Sequence, residues 1–151
     1  VSEQAGAFFA EELVARGWAI GDIDGDGDLD ALFTSNGGPA YLLRNEGATG
    51  AAAAFNLRGK GGNTRAVGAV VRAFVGEAMQ EQMVRTGSSY LSHSPTTLTF
   101  GLGDAAQIDR LQIRWPDGSK ETLEKIAAGV QYQVVEGKGI VGQTPFLSKK
   151  K

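Results

Sequence analysis

The sequence predicts an all-β protein, and three observations carry that expectation. Several short segments alternate polar and apolar residues with a period of two, as half-buried strands do. The chain holds 22 glycines against only 4 prolines, a supply of tight turns rather than of long helices. Turn clusters such as Asn36-Gly37-Gly38-Pro39 and Pro116-Asp117-Gly118-Ser119 recur between those segments. At 151 residues and 42% hydrophobic composition there is material for one ordinary domain or two small ones with a real core.

Taken in order, Phe8 to Arg16 fits either a short helix or an irregular strand. Gly17 to Gly21 and Ala31 to Ser35 are rich in aromatic and branched residues and read as strands, and Ala40 to Arg44 as a third. The small-residue stretch Gly47 to Ala54 marks a boundary. It divides the chain into a first unit (1–50), a second (51–140) and a C-terminal tail (141–151). Ala66 to Val75 is apolar on both faces, as a central strand would be. Ala78 to Thr86 carries helix-favouring Gln, Glu and Met, but its place after the Gly76-Glu77 turn makes it a hairpin partner. Leu98, Phe100 and Leu102 define one half-buried strand, and Leu111, Ile113 and Trp115 the buried face of another. In the Pro116–Ser119 turn, Pro fixes φ and Gly accepts a positive one.

Composition excludes several functions. A net charge of −2 argues against a nucleic-acid partner. The absence of cysteine removes disulfides, thiolate chemistry and cysteine-ligated metals. The longest apolar stretches, Ala51 to Phe55 and Ala66 to Val75, are too short to span a bilayer. Val1, with no Met or leader pattern, reads as the start of a processed or excised chain.

Charge is concentrated in one place. Five of the 17 acidic residues fall between Asp22 and Asp30, while the remaining positions hold 15 basic and 12 acidic side chains. The run Asp22-Ile-Asp24-Gly-Asp26-Gly27-Asp28-Leu-Asp30 sets oxygen donors at alternate positions around a glycine turn. Carboxylates about 5 Å apart repel by about 1–3 kcal/mol, and a bound hard cation relieves that repulsion. Ca²⁺ takes six to eight oxygens, so calcium is the expected cofactor. An EF-hand shares the opening D-x-D-x-D-G but needs a bidentate Glu at loop position 12. That position is Phe33 and the flanks read as strands, so the EF-hand is rejected; Asp30 supplies the late acidic ligand instead.

The stretch Arg16 to Glu46 resembles an FG-GAP/VCBS repeat of the kind that forms β-propeller blades in integrin α-subunits and many secreted bacterial proteins. The name-giving FG-GAP string itself is absent. The resemblance implies metal binding through the side chains of Asp22, Asp24, Asp26 and Asp30 and through the backbone carbonyl of Asp28. Thr64 to Val71 (TRAVGAVV), Gly87 to Ser92 (GSSYLS), Thr99 to Gly103 (TFGLG), Ile113 to Gly118 (IRWPDG) and Tyr132 to Gly137 (YQVVEG) resemble the ASPIC/UnbV domain that follows such repeats, as in the cartilage acidic protein family. The implied architecture is a propeller-blade-like calcium hairpin followed by a small β-sandwich-like domain. Because residues 1–50 hold at most one blade and a propeller needs several, the chain is expected to be a piece of a longer one, or to pack its blade on its own second unit or on neighbouring copies.

Other motifs have plainer readings. His93, between Ser92 and Ser94, lacks the G-x-S-x-G elbow of a hydrolase and is expected in a loop or at a strand edge. Gly59 to Thr64 lacks phosphate-loop spacing and is expected to be a flexible hairpin connection. Arg58, Lys60, Arg65 and Arg72 form a solvated strand face. Trp18 and Trp115 could stack on sugars, but both lie in alternating apolar strands and are expected in the core. The function expected from all this is that of a secreted, non-enzymatic calcium-binding protein with a structural or adhesive role. Its partners would be copies of itself, in an oligomer or filament, or other extracellular proteins. The alternative is a glycan- or ligand-binding module of a larger secreted protein, with an aromatic patch on the second unit doing the recognition.

Overall fold

The computed structural model describes residues 6–46 and 50–148, and the chain is all-β. A 3-10 turn, Ala7–Ala10, precedes a three-stranded antiparallel meander of β1 (Ala15–Gly21), β2 (Asp30–Ser35) and β3 (Ala40–Leu43). Cross-strand register puts Trp18, Phe33 and Tyr41 in one row on one face, and Ala19, Leu32 and Leu42 in a row on the other. On the first face the rings of Trp18 and Phe33 stack at 5.8 Å, and those of Phe33 and Tyr41 at 5.2 Å. Phe8, delivered by the 3-10 turn, covers both Phe33 and Tyr41 at about 5 Å. Phe33 is thereby buried.

Eight further strands follow: β4 (Ala51–Arg58), β5 (Val70–Val75), β6 (Ala78–Met83), β7 (Leu98–Gly103), β8 (Gln107–Arg114), β9 (Lys120–Ala127), β10 (Val130–Val135) and β11 (Gly139–Pro145). They form two four-stranded sheets, ordered β11-β10-β4-β7 and β6-β5-β8-β9. β4 and β10 pair in parallel at the centre of the first of these, and β4 accordingly shows a continuous buried run from Ala53 to Phe55. The two sheets share one core, with Phe55, Phe100, Tyr132 and Val134 on one side and Val71, Ile108, Leu111 and Ile113 on the other. Trp115, at the end of β8, is fully buried. Burying a side chain of this size contributes about 1.5–3 kcal/mol, so this pair of sheets carries most of the stability. Edge strands β6 and β7 belong to different sheets and are stitched by side chains: Gln80 and Gln82 of β6 each donate an amide hydrogen bond of 2.7 Å to the carbonyls of Gly101 and Thr99.

Serines attach the meander to this sandwich. The backbone N–H of Trp18 donates to Ser92 Oγ at 3.1 Å, Ser92 Oγ donates back to the Trp18 carbonyl at 2.8 Å, and Ile20 N–H donates to Ser94 Oγ at 3.1 Å. The hydroxyls stand where a further strand's backbone would, on the open edge of β1.

Several expectations need correction. Trp18 is not a core residue: it is 40% exposed and borders an open cleft rather than the packed core. The strand expected from Ala66 begins only at Val70. Ala66 has φ 51° and Gly68 φ 91°, and the Asn63 side chain both accepts from Val67 N–H at 3.0 Å and donates to the Val67 carbonyl at 2.9 Å, folding the chain into turns. Gly59 to Thr64 is not a hairpin connection either, since β4 and β5 lie in different sheets and the loop crosses between them. Between the 3-10 turn and β1, residues 11–14 take neither helix nor strand. Of the boundary stretch, Gly47 to Thr49 lie outside the described residues, and β4 starts at Ala51. The segment expected as a tail from residue 141 carries most of β11, as far as Pro145; Lys149 to Lys151 lie outside the described residues. His93 is exposed in a loop.

Candidate metal centre

The acidic loop joins β1 to β2 and folds because its own carboxylates bind its backbone. Asp22 Oδ1 accepts from the N–H groups of Gly25 (2.7 Å) and Asp26 (3.1 Å), and Asp22 Oδ2 from Gly27 (2.9 Å). Asp30 ties the loop's ends to the sheet: Oδ2 accepts from Ile23 N–H at 2.9 Å and Oδ1 from Asn45 N–H at 2.8 Å. Gly25 and Gly27, at φ 79° and 91°, provide the curl that the spacing requires.

This curl brings one carboxylate oxygen each from Asp22, Asp24 and Asp30 within 4.8 Å of one another. Oxygens bound to one Ca²⁺ at 2.3–2.6 Å lie at most about 5 Å apart, so the trio fits a single ion of that size. Asp24 Oδ1 is buried and has no hydrogen-bond partner, which leaves it available to a cation. Its other oxygen lies 3.6 Å from Arg44 Nη1, and the same guanidinium also binds Glu46. Asp22 is pushed above the ordinary carboxylate range, first by burial and also by the nearby charge of Asp26, against the pull of its N–H donors. The donor set is all hard oxygen, which suits Ca²⁺ or Mg²⁺ rather than a soft metal.

Of the five aspartates singled out by sequence, Asp22, Asp24 and Asp30 converge. Asp26 stands outside that group, and its Oδ1 accepts from Asp28 N–H at 2.9 Å. Asp28 is buried within the loop. Phe33, at the position an EF-hand would give to its glutamate, belongs to the aromatic stack.

Sequence reasoning missed the segment after β11. Phe146 N–H donates to the Gly129 carbonyl at 2.9 Å and Leu147 N–H to the Gly25 carbonyl at 2.7 Å. The Phe146 ring rests on Gly27 and the Leu147 side chain on Gly25. The acidic loop is thus held from outside by residues more than a hundred positions away. An apolar Phe-Leu pair after a proline, in an otherwise polar end, is the one signal that could have suggested docking.

The fold and this site together define an all-β protein: a two-sheet sandwich bearing a small meander whose first turn is a cluster of oxygen donors. Residues 59–141 match the family model described as ASPIC and UnbV, more than half of the chain, and the chain belongs to that family. The match covers β5 to β10 and the start of β11 and leaves the acidic loop outside it. No curated protein matches the chain. Among the described residues no helix is long and apolar enough to cross a membrane.

Proposed function

We propose that the chain is a non-enzymatic, extracellular calcium-binding module in which Asp22, Asp24 and Asp30 hold the ion through carboxylate oxygens. The observation that carries this reading is the convergence of the three carboxylates with Asp24 Oδ1 buried and unpartnered. The resemblance of Arg16 to Glu46 to an FG-GAP/VCBS repeat supports it, and adds Asp26 and the Asp28 carbonyl as further ligands. Calcium binds the folded loop only, so it stabilises the meander and its junction with the sandwich. The role is structural or adhesive. Leu32 and Leu42, 42% and 57% exposed in one row of the meander, support self-association through this face into an oligomer or filament.

The test is thermal denaturation together with light scattering, in calcium and in excess EGTA. The proposal expects a higher melting point and larger particles in calcium. A melting point unchanged by calcium overturns the metal reading. A calcium-stabilised monomer at high concentration overturns the assembly.

A further inference from the structure

Between the meander and the sandwich runs an open cleft of about 880 Å³, within the range of about 300–1,000 Å³ usual for small-molecule sites, which favour the junctions between units. One wall is the indole of Trp18. The ring is backed by Phe33, stacked at 5.8 Å with an interplanar angle of 18°, and its strand is pinned through Ser92 and Ser94. An aromatic that is 40% exposed and yet held by a stack and two hydrogen-bonded serines is a preorganised platform.

The rest of the lining is mixed, with Ala54, Met83, Pro95 and Leu98 among polar residues. It offers the side chains of Gln131, Arg85, Ser88 and Thr97. Arg85 makes no ion pair among the described residues, so its planar guanidinium remains available as a donor. The charged side chains of the lining are Asp22, Glu81 and Arg85, a nearly balanced set that selects against strongly charged ligands such as nucleotides. A flat ring with one apolar face and many hydroxyls matches this wall chemistry: the apolar face stacks on an indole, and the hydroxyls meet amide, guanidinium and hydroxyl groups.

We infer that this cleft is a binding site for neutral oligosaccharides, with Trp18 as the stacking platform and Gln131 and Arg85 as hydroxyl partners. Asp22 of the acidic loop borders the cleft, but the inference rests on Trp18, which is placed by the aromatic stack and by the serines. It differs from the alternative read from sequence in where recognition sits: the aromatic comes from the meander and the polar groups from the sandwich.

The two tryptophans make the test direct, because Trp115 is fully buried and Trp18 is exposed. Changes in indole emission on adding a ligand therefore report Trp18, and Trp115→Phe, if it folds, leaves Trp18 alone. Hexaoses of β-1,4-glucose, β-1,3-glucose, α-1,4-glucose and β-1,4-N-acetylglucosamine are titrated into the chain and followed by fluorescence and calorimetry. The expected result is a saturable blue shift with at least one of them. Affinity should fall at least tenfold in Trp18→Ala, less in Trp18→Phe, and severalfold in Gln131→Ala. No saturable response to any of the four at millimolar concentration overturns the inference, as does equal binding by Trp18→Ala. Occupation of the cleft by an unglycosylated polypeptide in preference to the sugars would also overturn it.

Discussion

The ring of Phe146 lies against the α-carbon of Gly27: a β-carbon at that position would stand 2.5 Å from Phe146 Cδ2 and 2.7 Å from Cε2. Gly27 is also at φ 91°, a conformation that other residues adopt only with strain. The loop and the C-terminal segment are therefore fitted to one another. Gly27→Ala is expected to lower stability by about 1–3 kcal/mol, read as a drop in melting temperature. Gly37→Ala is the control, because it has φ 74° but nothing within 4 Å; it should cost less. Equal losses in the two variants would mean that only backbone strain matters and that Phe146 does not press on the loop.

The carboxylates of the loop divide by what they already hold. Asp30 accepts two backbone N–H groups, so Asp30→Ala should destabilise the chain even in EGTA, by about 1–3 kcal/mol per donor left unpaired. Among the described residues Asp24 serves no backbone donor, and its pairing with Arg44, at 3.6 Å between an exposed guanidinium and a half-buried carboxylate, is worth at most about 1 kcal/mol. Asp24→Asn is therefore expected to melt close to the unsubstituted chain in EGTA and to lose most of the stabilisation by calcium. Denaturant unfolding with and without calcium separates the two behaviours.

The serine clamp has its own signature. Replacing Ser92 by Ala removes one acceptor and one donor from the edge of β1, at about 0.5–1.5 kcal/mol per bond. The effect should be local: amide hydrogen exchange at Trp18 accelerates, while exchange at Ile113 in the sandwich core stays slow. Uniform acceleration across both would show that meander and sandwich open as one unit.

Asp109 gives the pH dependence a defined direction. Its carboxylate accepts from Gly76 N–H at 2.8 Å and from the Gln107 amide at 3.2 Å, and the Gly76 bond does most to hold it below the ordinary value of 3.8. A carboxyl with a depressed folded pKa contributes stability that is present above its unfolded pKa and lost as pH falls through the folded one. Carboxyl NMR titration should place the Asp109 midpoint below 3.8. In Asp109→Asn that part of the acid loss disappears. A midpoint at or above the ordinary value would show that the Gly76 bond is not kept in solution.

Much of this architecture was legible because the signals are local. Alternation placed Leu111, Ile113 and Leu98 to Leu102 on buried faces, and the alternating aspartates marked the loop from Asp22 to Asp30, though not which three of its five carboxylates converge. What escaped is long-range. The bonds from Ser92 and Ser94 to β1 span 74 positions, and a serine in a loop gives no hint of the edge it will cap. Trp18 sits in an apolar alternating strand like Trp115, yet only Trp115 has a second sheet packed over it. The crossing at Gly59 to Thr64 resembled a hairpin because local glycine content does not say which sheet the next strand joins. Phe146 and Leu147 dock on the loop through contacts that no periodicity records.

The most direct measurement is a calorimetric calcium titration of the intact chain, repeated on Asp24→Asn and on a chain ending at Pro145. If Asp22, Asp24 and Asp30 hold the ion, the intact chain binds calcium saturably. At a hundredfold excess over Kd the ion adds about 2.7 kcal/mol of stability. Asp24→Asn then loses most of that binding, and the shortened chain, without the Phe146 and Leu147 contacts, binds more weakly. Absence of saturable calcium binding by the intact chain, at concentrations up to several millimolar, would contradict the metal centre itself.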